Sequence, residues 1–173
     1  MPIERLAQNP VIVYLGLGSN LGDRQQNMFR AIAMMPNSVD VKRISSCYET
    51  EPLGYARQPR FLNAVCEAAT TLPPDGLLAV LKGIECRLGR RPSFADAPRP
   101  MDIDILFYGD RVTRSADLVI PHPRIEERGF VLVPLADISP ELVHPVTGRT
   151  VREMLTRLGR IEGVVKWKED RNV

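Results

Sequence analysis

Strand-like and helix-like segments follow one another along this chain without a regular alternation of one strand and one helix. Residues 61–70 place apolar side chains at every second position, which is the period of a β-strand. Residues 73–88 instead carry Leu and Ile at spacings of four, three and four, the period of a helix that buries one face. Further strand patterns cover 11–17, 39–48 and 101–108, and further helix patterns cover about 23–35 and 150–158. This order favours the α+β class, in which helices are layered around a largely antiparallel sheet.

The length of the chain fits one domain with a substantial core. Its 173 residues are enough for one ordinary core and too few for two. Because no repeat, low-complexity tract or flexible linker interrupts it, we expect a single domain over 1–173, with 1–10 and 169–173 as peripheral extensions. A composition of 44% hydrophobic and 25% charged residues is typical of a globular protein.

Composition predicts a cytoplasmic protein that does not enter a membrane. No window approaches the roughly 18 apolar residues of a membrane span, and the first residues lack the basic start and apolar run of a signal peptide. Cys47, Cys66 and Cys86 have neither zinc-ligand nor redox-motif spacing, so we expect reduced, mostly buried thiols.

Asp102 and Asp104 are the most informative residues for chemistry. The period of a strand puts both on one face and apolar residues on the other: Met101, Ile103, Ile105 and Phe107. Two carboxylates about 7 Å apart along a strand repel each other and resist burial. Mg²⁺ compensates such a pair, because it binds carboxylate oxygens and completes its coordination with water and phosphate. On a core strand this interpretation outweighs two acids that merely face water.

Basic residues surround this pair in the sequence. Four arginines precede it and two follow it near His122: Arg87, Arg90, Arg91, Arg99, Arg124 and Arg128. A solvated basic surface, a nucleic-acid face and a compact anionic ligand are all compatible with such a cluster. Stacking on bases has little support, since Phe94 is the only aromatic residue in the segment, whereas guanidinium groups match phosphate oxygens well. His122 among arginines should stay neutral and could donate to a phosphate.

Two further segments contain residues that could contribute to a binding site. Gly16-Leu17-Gly18-Ser19-Asn20 is neither a Walker A sequence nor a complete GxGxxG, so we predict a tight backbone turn there. The loop from 51 to 59 leads to Phe61 and Asn63, whose ring and amide suit a flat ligand. Taken alone, Glu85 is typical of a solvent-facing helix residue and His144 of a structural one.

These motifs, in this order, resemble the 6-hydroxymethyl-7,8-dihydropterin pyrophosphokinase family. The likeness runs from about Tyr14 to about Gly148 and rests on short segments at family-like spacing: 18–23, 49–54, 61–64, 98–106, and 121–124 with 128–130. The resemblance implies a compact α+β sandwich with a ferredoxin-like core, layered α/β/α around a mostly antiparallel sheet. It also implies transfer of the β,γ-pyrophosphoryl group of ATP to the pterin hydroxymethyl oxygen, with release of AMP, in folate biosynthesis.

The resemblance assigns a role to individual residues. Asp102 and Asp104 would bind two Mg²⁺, and together with Arg90 and Arg99 they form the expected catalytic set. Pterin contacts fall to Thr50, Pro52, Leu53, Phe61, Asn63 and Phe130. ATP contacts fall to Glu85, Arg90, Arg99, Ile105, His122 and Arg128. We expect small-molecule substrates as partners, no nucleic acid, and a monomer or weak dimer.

The chain departs from the family in residues 90–100. Many members carry an Arg and a Trp before a Gly-Pro-Arg, where this chain has Ala95-Asp96-Ala97, and the segment is about one residue shorter. Pro123 also stands where some members have an aromatic residue. We expect slower chemistry or product release, with the reaction unchanged. Another Mg-dependent nucleotidyl or phosphoryl transferase and a non-enzymatic α+β binding domain are the alternatives.

Overall fold

The computed structural model describes residues 9–168 and contains one six-stranded antiparallel sheet between two layers of helices. The strands of this sheet are β1 (Val11–Ser19), β2 (Val39–Ile44), β3 (Tyr48–Thr50), β4 (Phe61–Thr70), β5 (Asp102–Tyr108) and β8 (Val164–Lys166). Two short strands, β6 (Thr113–Arg114) and β7 (Val119–Ile120), form a separate ribbon. The helices are α1 (Arg24–Ala33), α2 (Pro74–Arg87), α3 (Gly129–Ile138) and α4 (Val151–Leu158), with a 3₁₀ turn at Ile125–Glu127.

The strand order is that of a ferredoxin-like core. Across the sheet the order is β5-β1-β4-β3-β8. β2 and β3 pair with the same edge of β4, β2 along its second half and β3 along its first half. If β2 and β3 are taken together as one broken strand, the first four positions follow the pattern 4-1-3-2 with a helix after the first and third strands. The predicted α+β fold with a mostly antiparallel sheet is therefore confirmed.

The sheet separates two apolar cores. On one face α1 and α2 pack against the sheet through residues such as Met28, Leu81 and Ile84. On the other face α3 and α4 pack through Leu132 and Met154, among others. Because successive strand residues point to opposite faces, β4 supplies Cys66 to the first core and Val65 to the second. The layers are thus helix, sheet and helix, as predicted.

The predicted strand over 39–48 is interrupted after Ile44. The Ser45 hydroxyl accepts a hydrogen bond from the Val65 N–H at 2.9 Å, while the Ser45 N–H donates to the Val65 carbonyl at 2.9 Å. The side chain thus takes the place of a backbone acceptor and ends the regular ladder. Strand pairing resumes at Tyr48, which gives β2 and β3 different registers on β4.

The side chain of Phe107 does not lie on the predicted face of the strand, because β5 contains a bulge. Tyr14 pairs with Phe107 and Leu15 with Ile105, which leaves Leu106 as the extra residue. From there the alternation shifts by one position, and Phe107 joins the core under α3 and α4. Ile103 and Ile105 lie before the bulge and pack under α1 and α2, as predicted.

The ends of the described region add one element that the sequence patterns do not predict. β8 pairs antiparallel with β3, so the chain returns after α4 to extend the sheet. Residues 1–8 and 169–173 lie outside the described residues, as does most of the predicted extension over 1–10. Within residues 9–168 no helix is both long enough and apolar enough to span a bilayer.

Candidate active site

The predicted turn at residues 16–20 is instead the end of β1, and its glycines lie opposite the acidic pair. Gly18 pairs with Asp102 and Gly16 with Asp104 across the two strands. A Cβ on Gly18 would lie 2.9 Å from the Asn63 Oδ1, and one on Gly16 would lie 3.3 Å from the Leu106 side chain. Glycine is therefore needed at Gly18 for close approach rather than for a turn. Both glycines and both aspartates line the same cavity.

Asp102 is held by two arginines. The Arg90 Nη1 lies 2.5 Å from one carboxylate oxygen, and the Arg99 Nη2 lies 3.2 Å from the other. Burial alone would raise the pKa of Asp102, but the charges of Arg99 and Arg90 outweigh it and hold that pKa below its usual value. Asp102 is therefore a charge-compensated carboxylate at neutral pH.

Asp104 has the opposite environment. No side chain within residues 9–168 forms an ion pair with it, although its neighbour Asp102 has two. Burial and the nearby Asp102 charge raise the pKa of Asp104 to about 6. A buried carboxylate that lacks a cationic partner is suited to bind a cation from outside the chain.

Glu85 connects α2 to the acidic strand and is not a solvent-facing residue. Its side chain is only 3% exposed. One oxygen accepts the Ile103 N–H at 2.7 Å, and the other lies 2.9 Å from the Arg90 Nη1. Lys82 approaches the same carboxylate from the surface at 3.0 Å. Glu85 therefore fixes both the edge of β5 and the arginine that pairs with Asp102.

A narrow cavity lies beside the aspartates on the face of the sheet that α3 covers. Phe61 and Asn63 of β4 line it, together with Thr50 at the end of β3 and Phe130 at the start of α3. The Asn63 amide donates to the Thr50 hydroxyl at 2.6 Å, which fixes the orientation of the amide. The cavity thus combines two aromatic rings with a fixed polar group, a combination that suits a flat, hydrogen-bonding ring.

Two arginines approach these aromatic rings. The guanidinium of Arg99 lies 5.1 Å from the centre of the Phe61 ring, and that of Arg128 lies 5.6 Å from the centre of the Phe130 ring. The Nε–H groups of both arginines are buried, and neither has a hydrogen-bond partner in the part of the chain that the structure describes. Buried unpaired donors are costly, so each is a candidate to bind an anionic ligand.

A second, wider cavity of about 730 Å³ lies between the C-terminal half of α2 and the 90–100 loop. Its lining includes basic and acidic side chains that the sequence had grouped together: Lys82, Glu85, Arg90, Arg91 and Arg99. This volume falls in the range of pockets that bind nucleotide-sized ligands. Asp96 and Arg99 line both cavities, so the two are adjacent.

Two loops meet over the cavities. The ring of Tyr55 in the 51–60 loop contacts that of Phe94 in the 90–100 loop edge to face, with centres 5.5 Å apart. Gly54 has a φ of 76°, and a Cβ there would lie 2.5 Å from a carboxylate oxygen of Asp96. Glycine is therefore required at this crossing both for its backbone conformation and for space.

His122 lies beside Arg128 rather than beside the acidic pair. The Arg128 Nη1 is 3.5 Å from the His122 Nε2, and the Arg124 N–H donates to the Nδ1 at 3.2 Å. Burial, followed by the charge of Arg128, lowers the pKa of His122 to about 4. The imidazole is thus neutral at physiological pH, in agreement with the sequence expectation for its charge.

The structure brings most of the predicted site residues to the two cavities. Within the described residues, the narrow one includes Thr50, Leu53, Phe61, Asn63, Arg99, Asp102, Asp104, Arg128 and Phe130, and the wide one includes Glu85, Arg90 and Arg99. Pro52, Ile105 and His122 line neither cavity. The Ile105 side chain is 4% exposed and lies in the core, so only its backbone is available for the predicted ATP contact.

Sequence reasoning missed several residues at the site. Gly16 and Gly18 could have been recognised from the spacing of two glycines within an apolar strand, since Gly in a strand often marks a close approach. The position of Leu106 depends on the bulge in β5. The position of Asp96 depends on the crossing of two irregular loops. The sequence carries no signal for either.

An acidic pair lines the narrow aromatic cavity, two arginines hold one member of the pair, and the wide cavity is adjacent. This arrangement is suited to one class of chemistry, the transfer of a phosphate-containing group. The sequence model of one protein family, described as 7,8-dihydro-6-hydroxymethylpterin-pyrophosphokinase (HPPK), matches residues 14–140. The chain belongs to this family. The predicted family is therefore confirmed, and an unrelated α+β binding domain is no longer favoured.

Similar proteins are of two lengths. The chain is 42% identical over 141 residues to the 2-amino-4-hydroxy-6-hydroxymethyldihydropteridine pyrophosphokinase of Aquifex aeolicus. This alignment covers 82% of this chain and 88% of that protein. The Bacillus subtilis protein of the same name is 38% identical over 164 residues, 94% and 93% of the two chains. The folic acid synthesis protein of Pneumocystis carinii is 46% identical over 147 residues, 84% of this chain but only 20% of that protein. The chain thus spans most of the bacterial relatives and about a fifth of the fungal one.

Solved structures agree on the fold. The HPPK-DHPS protein of Plasmodium falciparum superimposes with a TM-score of 0.70 at 17% identity, over 87% of this chain and 46% of that one. Another HPPK-DHPS structure, in complex with substrates, gives 0.68 at 16% identity, over 86% and 43%. At such identities the likeness concerns the fold alone, and it matches the α+β sandwich described above.

Proposed function

We propose that this chain transfers the β,γ-pyrophosphoryl group of ATP to the hydroxymethyl oxygen of 6-hydroxymethyl-7,8-dihydropterin and releases AMP, a step of folate biosynthesis. Family membership and the names of the bacterial relatives support this reaction. The single observation that carries it is the contrast, in the wall of the narrow cavity, between Asp102, which is paired with two arginines, and Asp104, which has no ion pair within residues 9–168.

The narrow cavity supports a bicyclic pterin as the acceptor. Phe61 and Phe130 offer ring faces, and Asn63 offers amide and carbonyl groups that match the edge of a pterin. The Thr50 hydroxyl fixes the Asn63 amide, so this edge is recognised by a pre-oriented group. Leu53 lines the cavity from the 51–60 loop, and the adjacent Pro52 keeps its predicted role as a contact of the same loop.

The wide cavity supports ATP as the donor. Arg90 and Arg99 approach the acidic pair from this side, and Lys82 adds a further positive charge. Arg99 lines both cavities, so its guanidinium lies where a group must pass from donor to acceptor. Phosphoryl-type transfer depends mainly on alignment and on neutralising charge, which arginines at this position can supply.

The donor set of the site fits Mg²⁺. Asp102 and Asp104 present carboxylate oxygens on one strand face, and Asp104 has no cationic partner within residues 9–168. Those residues contain no group of three or more His, Cys, Asp and Glu side chains that could hold a metal alone, so water and phosphate oxygens must complete the coordination. Two Mg²⁺, bound by these aspartates, would neutralise the triphosphate charge and lower the pKa of the attacking hydroxyl.

The chain's own residues complete the arrangement. Glu85 holds Arg90 against Asp102, and the aromatic rings of the narrow cavity orient the acceptor. The buried Nε–H groups of Arg99 and Arg128 are donors available to substrate oxygens. Neutral His122 positions Arg128 without adding charge.

The setting in the cell follows the sequence expectations. We expect a cytoplasmic monomer or weak dimer that acts on small molecules and has no nucleic-acid partner. Some plant relatives are named as mitochondrial proteins.

Identification of the nucleotide product tests this function. The purified chain is incubated with ATP, Mg²⁺ and 6-hydroxymethyl-7,8-dihydropterin, and the products are separated by ion-exchange chromatography. The proposal predicts AMP and the pterin diphosphate in equal amounts. ADP would indicate transfer of a single phosphoryl group, pyrophosphate would indicate nucleotidyl transfer, and either result without AMP contradicts the proposal.

A further inference from the structure

Arg24, the first residue of α1, is a partly buried cation that the proposed reaction does not use. Its Nη2 lies 2.8 Å from a carboxylate oxygen of Glu49 in β3, and its Nη1 donates to the Arg60 carbonyl at 2.9 Å. The first bond is partly buried and the second lies at the surface. Glu49 precedes the 51–60 loop by two residues, and Arg60 is the last residue of that loop. One guanidinium therefore holds both ends of the loop.

The two ends of this loop meet at the narrow cavity. Thr50 pairs with Phe61 across β3 and β4, and both residues line that cavity. The Thr50 hydroxyl also accepts the hydrogen bond that orients Asn63. Glu49 and Arg60 are the immediate chain neighbours of the Thr50–Phe61 pair. A guanidinium that binds both neighbours therefore helps to keep the pair in register.

The segment after α4 covers Arg24. β8 pairs with the outer edge of β3, and the N–H of Trp167, just after β8, donates to the Cys47 carbonyl at 2.8 Å. The Arg24 guanidinium carbon lies 4.9 Å from the centre of the Trp167 ring. The Trp167 Nε1–H is buried and has no hydrogen-bond partner among residues 9–168. The face of the ring and its apolar contacts therefore place it, and its polar group does not.

This covering segment lies outside the region that matches the family model. That match ends at residue 140, whereas β8 and Trp167 follow α4. Arg24 and Glu49 lie inside the matched region, but the resemblance assigns a role to neither. The contact between Arg24 and Trp167 is thus a feature of this chain's own structure.

We propose that Arg24 is a positioning residue of the narrow cavity and that Trp167 acts through Arg24. This inference rests on the proposed function, in which the narrow cavity holds the pterin acceptor. Arg24, Glu49 and Trp167, named here the Arg24 cluster, line neither cavity within the described residues. Disruption of the cluster should therefore weaken acceptor binding without removing a substrate contact, and it should leave nucleotide binding unchanged.

Steady-state kinetics of AMP formation test this separation. KM is measured for 6-hydroxymethyl-7,8-dihydropterin at saturating ATP and for ATP at saturating pterin, with Mg²⁺ in both. Arg24→Lys keeps the charge but loses the planar fork that reaches the Glu49 carboxylate and the Arg60 carbonyl together. We expect KM for the pterin to rise by roughly 10-fold, the equivalent of one charge-assisted hydrogen bond. KM for ATP and kcat should change by less than about 2-fold.

Glu49→Gln removes the same ion pair from the other side. It should raise KM for the pterin in the same direction, and it serves as the test if Arg24→Lys does not fold. Circular dichroism establishes that each variant is folded before its kinetics are measured. A merely structural defect lowers the fraction of active protein, so it lowers kcat and leaves both KM values unchanged.

Variants of Trp167 test how the ring acts. Trp167→Phe keeps a ring face for Arg24 and removes an N–H that has no partner in the described structure, so it should match the wild-type chain. Trp167→Ala should raise KM for the pterin as Arg24→Lys does. Because Trp167 acts through Arg24, the double variant Arg24→Lys/Trp167→Ala should be no worse than Arg24→Lys alone.

Arg43→Lys is the matched control. Arg43 also joins one strand to another through a carboxylate, since its Nη2 lies 2.5 Å from Glu67. This pair links β2 to the second half of β4, away from the 51–60 loop. The substitution is the same as at Arg24 and should leave both KM values at their wild-type level.

The outcomes separate this inference from the proposed function. If the wild-type chain makes AMP but folded Arg24→Lys and Glu49→Gln keep its KM for the pterin, the inference is overturned and the function stands. The inference is likewise overturned if KM rises equally for both substrates, or if Arg43→Lys raises KM for the pterin as much as Arg24→Lys. Additive effects in the double variant, or a Trp167→Phe as impaired as Trp167→Ala, overturn the role of the ring. A wild-type chain that makes no AMP overturns the function and the inference together.

Discussion

At the residue scale, Asp102 and Asp104 carry the same charge in opposite surroundings. Asp102 is paired with Arg90 and Arg99, whereas Asp104 is buried beside Asp102 with no ion pair among residues 9–168. The first charge therefore stabilises the fold in the absence of metal, and the second destabilises it. Because Asn has nearly the same shape as Asp, Asp→Asn substitutions at the two positions measure the two contributions separately.

We predict opposite effects of Asp102→Asn and Asp104→Asn on the free energy of unfolding without metal. Asp102→Asn removes the carboxylate that pairs with Arg99 and one of the two that pair with Arg90, and should lower it by about 1–3 kcal/mol. Asp104→Asn removes a like-charge repulsion and should raise it by about 1 kcal/mol. Urea denaturation at pH 7 with EDTA measures both. A shift of the same sign in the two variants would contradict the description of their surroundings.

His122 should make the stability of the chain depend on pH. Its pKa is lowered to about 4, so the unfolded chain binds the proton more readily than the folded one. The stability that neutral His122 supports is complete above about pH 6.5 and is lost as the pH falls toward 4. In His122→Asn the loss of unfolding free energy between pH 7 and pH 4.5 should be smaller by about 1–3 kcal/mol. Equal pH dependence in both proteins would show that burial of His122 does not affect its titration.

Residue type and spacing predicted which residues line the candidate site better than they predicted the surroundings of each residue. The acids, arginines and rings of the site are recognisable from residue type and spacing. The burial of Glu85 is not, because its partners are an N–H of another element and an arginine beyond the helix end. Ile105 shows that a match to the family also leaves the surroundings of a residue undetermined. The resemblance predicts an ATP contact there, but the side chain lies in the core.

At the scale of elements, the contact between α2 and β5 positions the acidic pair. The Glu85 carboxylate provides the acceptor for the Ile103 N–H, which lies on an edge strand with no neighbouring strand on that side. It also holds Arg90, so one helix residue fixes both the strand and its counter-ion.

Glu85→Ala should therefore be strongly destabilising. It leaves the Ile103 N–H without its buried acceptor and removes one of the two carboxylates that pair with Arg90, and we expect a loss of about 2–4 kcal/mol in the free energy of unfolding. Lys82→Ala is the matched control, since its side chain is 48% exposed and contacts the same carboxylate. That variant should change stability by less than about 1 kcal/mol. Similar losses in the two variants, measured by urea denaturation, would contradict the proposed connection between α2 and β5.

Long periodic elements were predictable and their interruptions were not. β4 begins and ends where its alternation does, and α2 agrees within one or two residues of each end. The bulge at Leu106 and the break at Ser45 each depend on a partner strand that the local sequence does not contain. The short β8 pairs through its backbone with β3, and three residues carry too little period to be recognised.

At the scale of the whole molecule, the fold places two adjacent cavities beside one edge strand. α2 and the 90–100 loop enclose the wide cavity, whereas β1, β4 and the start of α3 enclose the narrow one. β5 carries both aspartates, which line the narrow cavity. The layered sandwich was predictable from the order of the elements, but the meeting of the two loops above β5 required coordinates.

Metal binding at Asp102 and Asp104 can be measured directly. Mn²⁺ serves as the probe, and electron paramagnetic resonance counts the ions bound per chain in the complex with α,β-methylene-ATP and the dihydropterin. We predict two ions in the wild-type chain and at most one in Asp104→Asn, and we expect turnover of that variant in Mg²⁺ to be lower by roughly 100-fold or more. An Asp104→Asn variant that binds both ions with unchanged affinity would contradict this prediction.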